Sequence, residues 1–470
     1  MKDFTKYLNS LSFIKNASKT ADELSVEVYI VGGFIRDFVL DCDHKDIDFL
    51  IVGNGIEFAE RYAKSLGIDD VIIFKTYGTA HFKHEGFEFE FVGARKESYD
   101  AASRNPAVET GTFEDDINRR DLTINSIAAS INSETFGEVI DLFGGLKDIE
   151  DRIIKTPLEP FVTFNDDPLR ILRAIRFAAR LDFKIEEKTF EALGKVAERL
   201  KIITQERITD EFLKIMSVKK PSVGLKYLYD SGVMQVIFPE IANLAGVDQR
   251  KDFHHKDVFL HTCEVVDNIA QASGDVWLRF AALLHDVAKP KTKRFVENVG
   301  WTFHGHEELG ARMVKQIFKR MRLPMHKAEY VEKLVRLHLR PIALNKDEVT
   351  DSAIRRFIVA AGEDLDDLII LCRADITSKN IKKVQQYLKH YDIVMEKVRD
   401  VRERDKLREF QSPVRGEEIM RVCNIPPSKK VGEIKTAIEE AILDGEIDNN
   451  YEAAYEYLLK IKQNFISENS

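Results

Sequence analysis

The chain has 470 residues, 44% apolar and 32% charged, the composition of an ordinary globular protein with room for more than one domain. No apolar run approaches a membrane span, and the polar start MKDFTKYLNS lacks the apolar centre of a secretory leader, so neither a membrane protein nor an exported one is expected. The formal net charge of −9 argues weakly against a nucleic-acid partner, although a long chain can gather its basic residues on one face.

Val26–Val31 reads as a strand ending in Gly32-Gly33, with a helix from Phe34 that carries Arg36 and Asp37 in its first turn. Glycines at a strand-to-helix turn let backbone N–H groups approach a phosphate, and the helix start adds its positive dipole end. Most Gly-Gly pairs are plain turns, so this feature is weak alone. The next apolar run, DIDFLIV, holds Asp46 and Asp48. Side chains at i and i+2 of a strand share a face, and two carboxylates side by side repel unless a cation lies between them. Hard oxygen ligands favour Mg2+. Glu88 and Glu90 of FEFEFVGARKESY repeat the spacing. One of them would complete a two-metal carboxylate cluster, which can activate an attacking hydroxyl and stabilise the leaving oxygen of an in-line displacement. With VIIFK and the helical GIEFAERYAKSL, the first third is an α/β region with a small sheet.

From about Asp167 the pattern becomes amphipathic helices: PLRILRAIRFAARL, RITDEFLKIM, WLRFAALLHDVA, LGARMVKQIFKRM and EYVEKLVRLHL. No strand is expected after about residue 155. Breaks near TPLEPF, FPEIANLAGVDQRKDFHH and ADITSKN divide the chain into an α/β head (1–155), a helical neck (156–245), a third domain (246–380) and a helical tail (381–470). The segment NIKKVQQYLKHYDIVMEKVRDVRERDKLREF near the start of the tail is basic-leaning, with a solvated helix face as its plainer reading. Four scattered cysteines, Cys42, Cys263, Cys372 and Cys423, read as reduced thiols of a cytoplasmic protein.

In the neck, Asp167 and Arg170 are expected to lie i, i+3 on one helix face. Carboxylate accepts and guanidinium donates. Cytosine and adenine each pair an amine donor with a ring-nitrogen acceptor and so complement this pair. Uracil and guanine present the reverse order and would leave polar groups unpaired, a strong basis for discrimination. Arg173 and Arg176 extend the same stripe. Further on, His261, His285-Asp286 and Asp375 lie in helical apolar patterns, a donor set suited to a divalent metal. His304 or His306, and His338, are available to a second metal. A lone histidine in such a helix is usually a core residue, but six candidates in this order are not well explained that way.

Taken in order, GGFIRD, KDIDFLI, RRDLTINSIA (Arg119–Ala128), DLFGGLKDI, DDPLRILRAIRFAARL and ERITDEFLKI resemble the class II tRNA nucleotidyltransferases and bacterial poly(A) polymerases of the polymerase-β superfamily, over roughly the first half of the chain. The order H…HD…D resembles the HD phosphohydrolase superfamily, and IPPSKKVGEIKTAIEEAILDGEIDN the closing helical element of HD-bearing relatives. The first resemblance implies template-independent addition of CCA to tRNA from CTP and ATP, with Mg2+ at Asp46 and Asp48. Glu90, preferred over Glu88, would be the third carboxylate. Gly33 and Arg36 would meet the triphosphate and Arg120 the nucleotide, with Asp121 and Asn125 at the sugar. Asp167, Arg170, Arg173 and Arg176 would meet the base and triphosphate. The family commonly has Glu-Asp where this chain has Asp166-Asp167, which touches fine positioning. Enzymes that add only CC have a deletion in the loop before RRD, and RKESYDAASRNPAVETGTFEDDINRRD has full length. An A-adding or poly(A) enzyme is the alternative, and a hydrolase with a vestigial head is another. The HD resemblance implies a divalent metal at His261, His285, Asp286 and Asp375, a second at His306 and His338, and action on phosphate ends or 2′,3′-cyclic phosphates.

Overall fold

The computed structural model describes residues 3–75, 78–98, 107–247, 257–344, 350–378, 380–405 and 412–466. Residues 99–106 of the loop before RRD, residues 248–256 of the second interdomain break and residue 379 of ADITSKN lie outside the described residues. The chain forms two compact units, Met1–Ala245 with Arg320–Leu323, and Gly246–Lys319 with Pro324–Ser470.

The first unit is built on a mixed sheet. Its strands are β1 (Val28–Val31), β2 (Asp46–Ile51), β3 (Ile72–Phe74), β4 (Thr79–His84) and β5 (Phe87–Gly93). A separate antiparallel pair, β6 (Arg95–Ser98) and β7 (Ala107–Thr110), precedes β8 (Ala128–Ser130) and β9 (Val139–Ile140). The sheet order is β3-β4-β5-β2-β1-β8-β9, with β2 and β5 its parallel neighbours. Strand alternation explains β2. Ile47, Phe49 and Ile51 point to a fully buried face, where Phe49 stacks on Phe91 of β5 with centroids 5.0 Å apart at 9°. Phe82 of β4 and Phe58 and Tyr62 of the helix Gly55–Ser65 complete this aromatic layer. Each fully buried ring contributes about 2 kcal/mol of transfer free energy. That layer anchors the strand and leaves Asp46 and Asp48 on its other face.

Helices follow. Pro160–Asp166, Leu169–Leu181, Glu187–Val196, Gln205–Met216 and Pro221–Asp230 lie in the first unit. In the second are Val258–Ala272, Val276–Leu284, Ala328–Leu337, Asp351–Ala361, Leu365–Ala374 and the 25-residue Ile381–Asp405. Gly416–Cys423, Lys429–Asp444 and Tyr451–Ile466 pack around Ile419, Ile434, Ile438 and Leu458. The expectation of no strand after residue 155 is corrected. Next to β10 (Ile153–Ile154) runs a short parallel β11 (Lys184–Ile185), and β12 (Arg294–Val296) pairs with β13 (Gly300–Thr302). Both are too short for an alternation to stand out. The hairpin signal was the turn ENVG, where Asn298 and Gly300 take φ of 63° and 88°. Among the described residues no helix is long and apolar enough to cross a membrane.

Candidate functional site

The parallel pairing of β2 with β5 sets Asp46 beside Glu88 and Asp48 beside Glu90. All four acidic groups therefore share one face of the sheet. Glu88 is taken up by Lys83, with which it forms a close ion pair, and His81 lies 3.9 Å away. Glu90, next to Asp48, is the third carboxylate that the register offers. Burial lifts the Asp48 carboxyl to about 6, Glu90 and Asp46 add to the rise, and Arg120 and Arg36 oppose it. A carboxyl raised by burial and then by its acidic neighbours fits a cation between them.

Gly32, between β1 and the helix Gly33–Val39, has φ +72°, and a Cβ there would stand 3.1 Å from Arg120 Nη1 and 3.3 Å from the Asn125 carbonyl. Any side chain would be strained and would displace Arg120. Arg120 Nη1 donates to the Asn125 carbonyl at 3.3 Å and Nη2 to Asp116 at 3.2 Å, while its Nε is buried without a partner. Asp116 was not foreseen. It is fully buried and holds both Arg119 and Arg120, and its i+3 and i+4 spacing was the available signal.

Arg36 is buried rather than open to the solvent side. Its Nε and Nη2 donate to Asp37 at 2.8 and 2.9 Å, and Nη1 donates to Asn125 Oδ1 at 2.5 Å. Asn125 Nδ2 donates to Asp121 at 3.0 Å, and Arg173 Nε donates to the other Asp121 oxygen at 2.6 Å. Asp37 also receives Arg180 at 3.3 Å. A continuous polar chain thus joins the helix Gly33–Val39, the turn Thr123–Asn125 and the helix Leu169–Leu181. Gly145 supports the turn, since a Cβ there would lie 2.3 Å from the Thr123 carbonyl, and Asp141 accepts from the Gly145 N–H at 2.7 Å. DLFGGLKDI is therefore a brace. Burial opposes ionisation of Asp121, but Arg173 and the hydrogen bond from Asn125 outweigh it and hold the carboxyl at about 2. A depressed carboxyl stabilises the fold above its ordinary range near 4 and loses that contribution as pH falls toward 2. Asp121→Asn is expected to remove about 2 kcal/mol at pH 7 and roughly half as much at pH 3, measured by urea unfolding at both.

The expected Asp167–Arg170 face is corrected. Asp167 precedes the helix, with φ −131° and ψ 100°, and its carboxylate caps the Leu169 N–H at 3.1 Å. The residue before a proline is pushed out of the helical region, and Pro168 follows it. Arg170 is buried and donates to the Thr163 carbonyl at 3.2 Å. Arg176 Nε donates to Glu211 at 2.7 Å. Arg36, Arg173 and Arg176 stand 4.7, 5.9 and 4.4 Å from the Phe177 ring centre, so the arginines cluster about one aromatic face.

The second unit gathers its own donors. His285 and His338 cap the C-terminal ends of Val276–Leu284 and Ala328–Leu337, and Asp375 caps Leu365–Ala374. Helix ends leave carbonyls without partners. His285 Nδ1 is 2.6 Å from the Ala282 carbonyl, His338 Nδ1 is 2.6 Å from that of Val335, and His306 Nδ1 is 2.8 Å from that of Phe303. A carbonyl only accepts, so each Nδ1 donates and each Nε2 is the nitrogen left to face the cluster, the arrangement that orients metal-ligating imidazoles. His261 Nδ1 meets Thr377 Oγ1 at 2.8 Å. Two sets have donor atoms within 4.8 Å of one another, His261–His285–Asp286 and Asp286–His306–His338, and Asp286 belongs to both. Asp375 lies 2.8 Å from His261 and 3.5 Å from His285. Lys289 Nζ is 2.6 Å from Asp286. His304 lines a neighbouring cavity instead. Burial opposes charge on His285, but Asp286 and Asp375 outweigh it and raise the imidazolium to about 10, while burial lowers His338 to about 4. The His306 Nε2, buried without a hydrogen-bond partner, has the lone pair that a divalent cation takes.

Three family profiles match the chain: "Poly A polymerase head domain" over residues 28–155, "Probable RNA and SrmB- binding site of polymerase A" over 182–244, and "HD domain" over 258–380. A multifunctional CCA protein of Neisseria meningitidis serogroup B is 33% identical over 323 residues, which is 67% of this chain and 73% of that protein. An A-adding tRNA nucleotidyltransferase of Aquifex aeolicus is 41% identical over 204 residues, 41% of this chain and 24% of that protein. A solved tRNA nucleotidyltransferase complexed with a primer tRNA and an incoming ATP analog is similar with a TM-score of 0.57 and 26% identity, covering 81% of this chain and 99% of that one.

Proposed function

The chain belongs to the CCA-adding tRNA nucleotidyltransferase and poly(A) polymerase family, and we propose that Asp46, Asp48 and Glu90 are its catalytic carboxylates in building the CCA end of tRNA. It is a nucleotidyltransferase, and in this reading tRNA, CTP and ATP are its substrates. The observation that carries the reading of the site is the β2–β5 register, which lines up Asp48 with Glu90 beside Arg120. The primer 3′-hydroxyl attacks the α-phosphorus, the bond to the bridging oxygen breaks, and pyrophosphate leaves. Divalent ions, Mg2+ in this reading, would be held by Asp46, Asp48 and Glu90, and when bound they neutralise the phosphates and activate the hydroxyl. Gly32 and Gly33 give the triphosphate close backbone approach, and Arg120 supplies a positioned charge. Arg36, Asn125 and Asp121 hold the neck helix against that site, so that Asp167, Arg170, Arg173 and Arg176 choose the base. The free cysteines accord with a cytoplasmic enzyme.

The test supplies Mg2+ and a tRNA lacking its CCA end. CTP alone should extend it by C and C, ATP alone should add nothing, and both together should add C, C and A. The higher local identity to an A-adding enzyme favours a second reading, in which CTP is not used and ATP extends only a tRNA already ending in CC. Product lengths separate the two.

For the second unit we propose a phosphohydrolase acting on 3′-phosphate or 2′,3′-cyclic phosphate ends. His261, His285, Asp286 and Asp375 would hold one divalent ion, and His306 and His338, with shared Asp286, a second. In the monoester case water adds to phosphorus, the ester bond breaks, and the ribose oxygen leaves with a proton.

A further inference from the structure

Beside the imidazole–carboxylate cluster lies a cavity of about 680 Å3, lined by Lys289, Trp301, Phe303, His304, His306 and Ile342 among others. Its aromatic wall comes from the β12–β13 hairpin. Phe295 and Trp301 are direct partners across that hairpin, so their rings share a face, 5.3 Å apart at 74°. Phe295 is 66% exposed and Trp301 41%. A lone two-stranded hairpin is marginal in water, and two large exposed rings on it do little for the core. They are instead set among cations. Lys293 Nζ lies 4.6 Å from the Trp301 ring centre and Lys289 Nζ lies 5.7 Å from that of Phe303. Lys289 also reaches Asp286, and His306, whose Nε2 lies 3.3 Å from Asp286, lines the cavity. The cavity has an aromatic end and an end suited to an anion beside a divalent ion. Aromatic rings interleaved with lysines are the elements of a base-stacking platform for single-stranded nucleic acid.

We propose that this cavity is a nucleotide subsite, resting on the hydrolase reading of the same centre, in which Trp301 backed by Phe295 stacks a base while the phosphate of the same nucleotide faces Lys289 and His306. Every base has a π face, so the subsite takes all of them. Its ligand is a nucleoside 3′-phosphate, free or at the end of an RNA.

The chain has two tryptophans, Trp277 and Trp301, and Trp277 packs against Phe280 and Phe318. In metal-free Trp277→Phe protein, adenosine 3′-phosphate should quench Trp301 emission saturably, and glycerol 2-phosphate should not. An oligoribonucleotide with a 3′-phosphate that quenches at lower concentration supports the subsite with RNA ends as its source. Equal quenching supports it with the free nucleotide. With divalent metal supplied, Trp301→Ala should lower the ratio of kcat/KM for adenosine 3′-phosphate over glycerol 2-phosphate about tenfold, and Trp301→Phe should restore most of it. Absence of saturable quenching, or an unchanged ratio in Trp301→Ala, overturns the subsite. Failure of the native protein to hydrolyse either compound defeats the hydrolase reading alone, because the quenching needs no catalysis and still decides the subsite.

Discussion

Asp48→Ala is expected to reduce CTP incorporation into CCA-less tRNA by at least about a thousandfold, roughly 4 kcal/mol of transition-state stabilisation. The loss should fall on kcat more than on the KM for CTP, because Gly32, Gly33 and Arg120 still face the nucleotide. Stability should move the other way. Burial and two neighbouring carboxylates hold Asp48 at about 6, so its ionised form weighs against the metal-free fold at pH 7. Asp48→Asn should therefore melt no lower than the native protein in chelator while remaining inactive. Such opposed shifts mark a residue kept for chemistry. Full activity in Asp48→Ala would remove β2 from the catalytic site.

Asp286→Ala is expected to abolish divalent metal binding by the second unit and to lower its stability by about 3 kcal/mol or more. The side chain is 1% exposed and faces His285, Lys289 and His306, so its removal leaves the His285 and Lys289 cations without their anion. Metal content by mass spectrometry and thermal unfolding read the two effects. Incorporation of CTP by the first unit should persist, because its carboxylates stand on a separate sheet. Retained metal with unchanged stoichiometry would show that Asp286 is not the shared ligand.

The acidic strand β2 was legible because period-2 alternation marks the side of a strand on which each residue falls, and Asp46 and Asp48 interrupt an apolar run at that period. Its partner was legible only through the family resemblance, since Glu88 and Glu90 have the same pattern and in the structure the register and the Lys83 ion pair separate them. The helical course of the later chain was visible in the apolar spacing. Asp167 was misplaced because the i, i+3 rule was applied across a proline, where local sterics overrule spacing. The histidines were legible as a set. Their placement at helix ends, which fixes the tautomers, depends on where each helix stops and was not. The Phe295–Trp301 hairpin was missed because three-residue strands fall below any usable periodicity.

The polar chain from Asp37 through Arg36, Asn125 and Asp121 to Arg173 has a bearing on accuracy. An enzyme that copies no template tells one base from another by the donors and acceptors of its selecting side chains and by their spacing from the reacting centre. That spacing is set here by residues such as Asn125, whose amide lies within the chain rather than at either end. Errors in the product should therefore report on it: a protein altered at Asn125 would still add nucleotides, but more often the wrong ones.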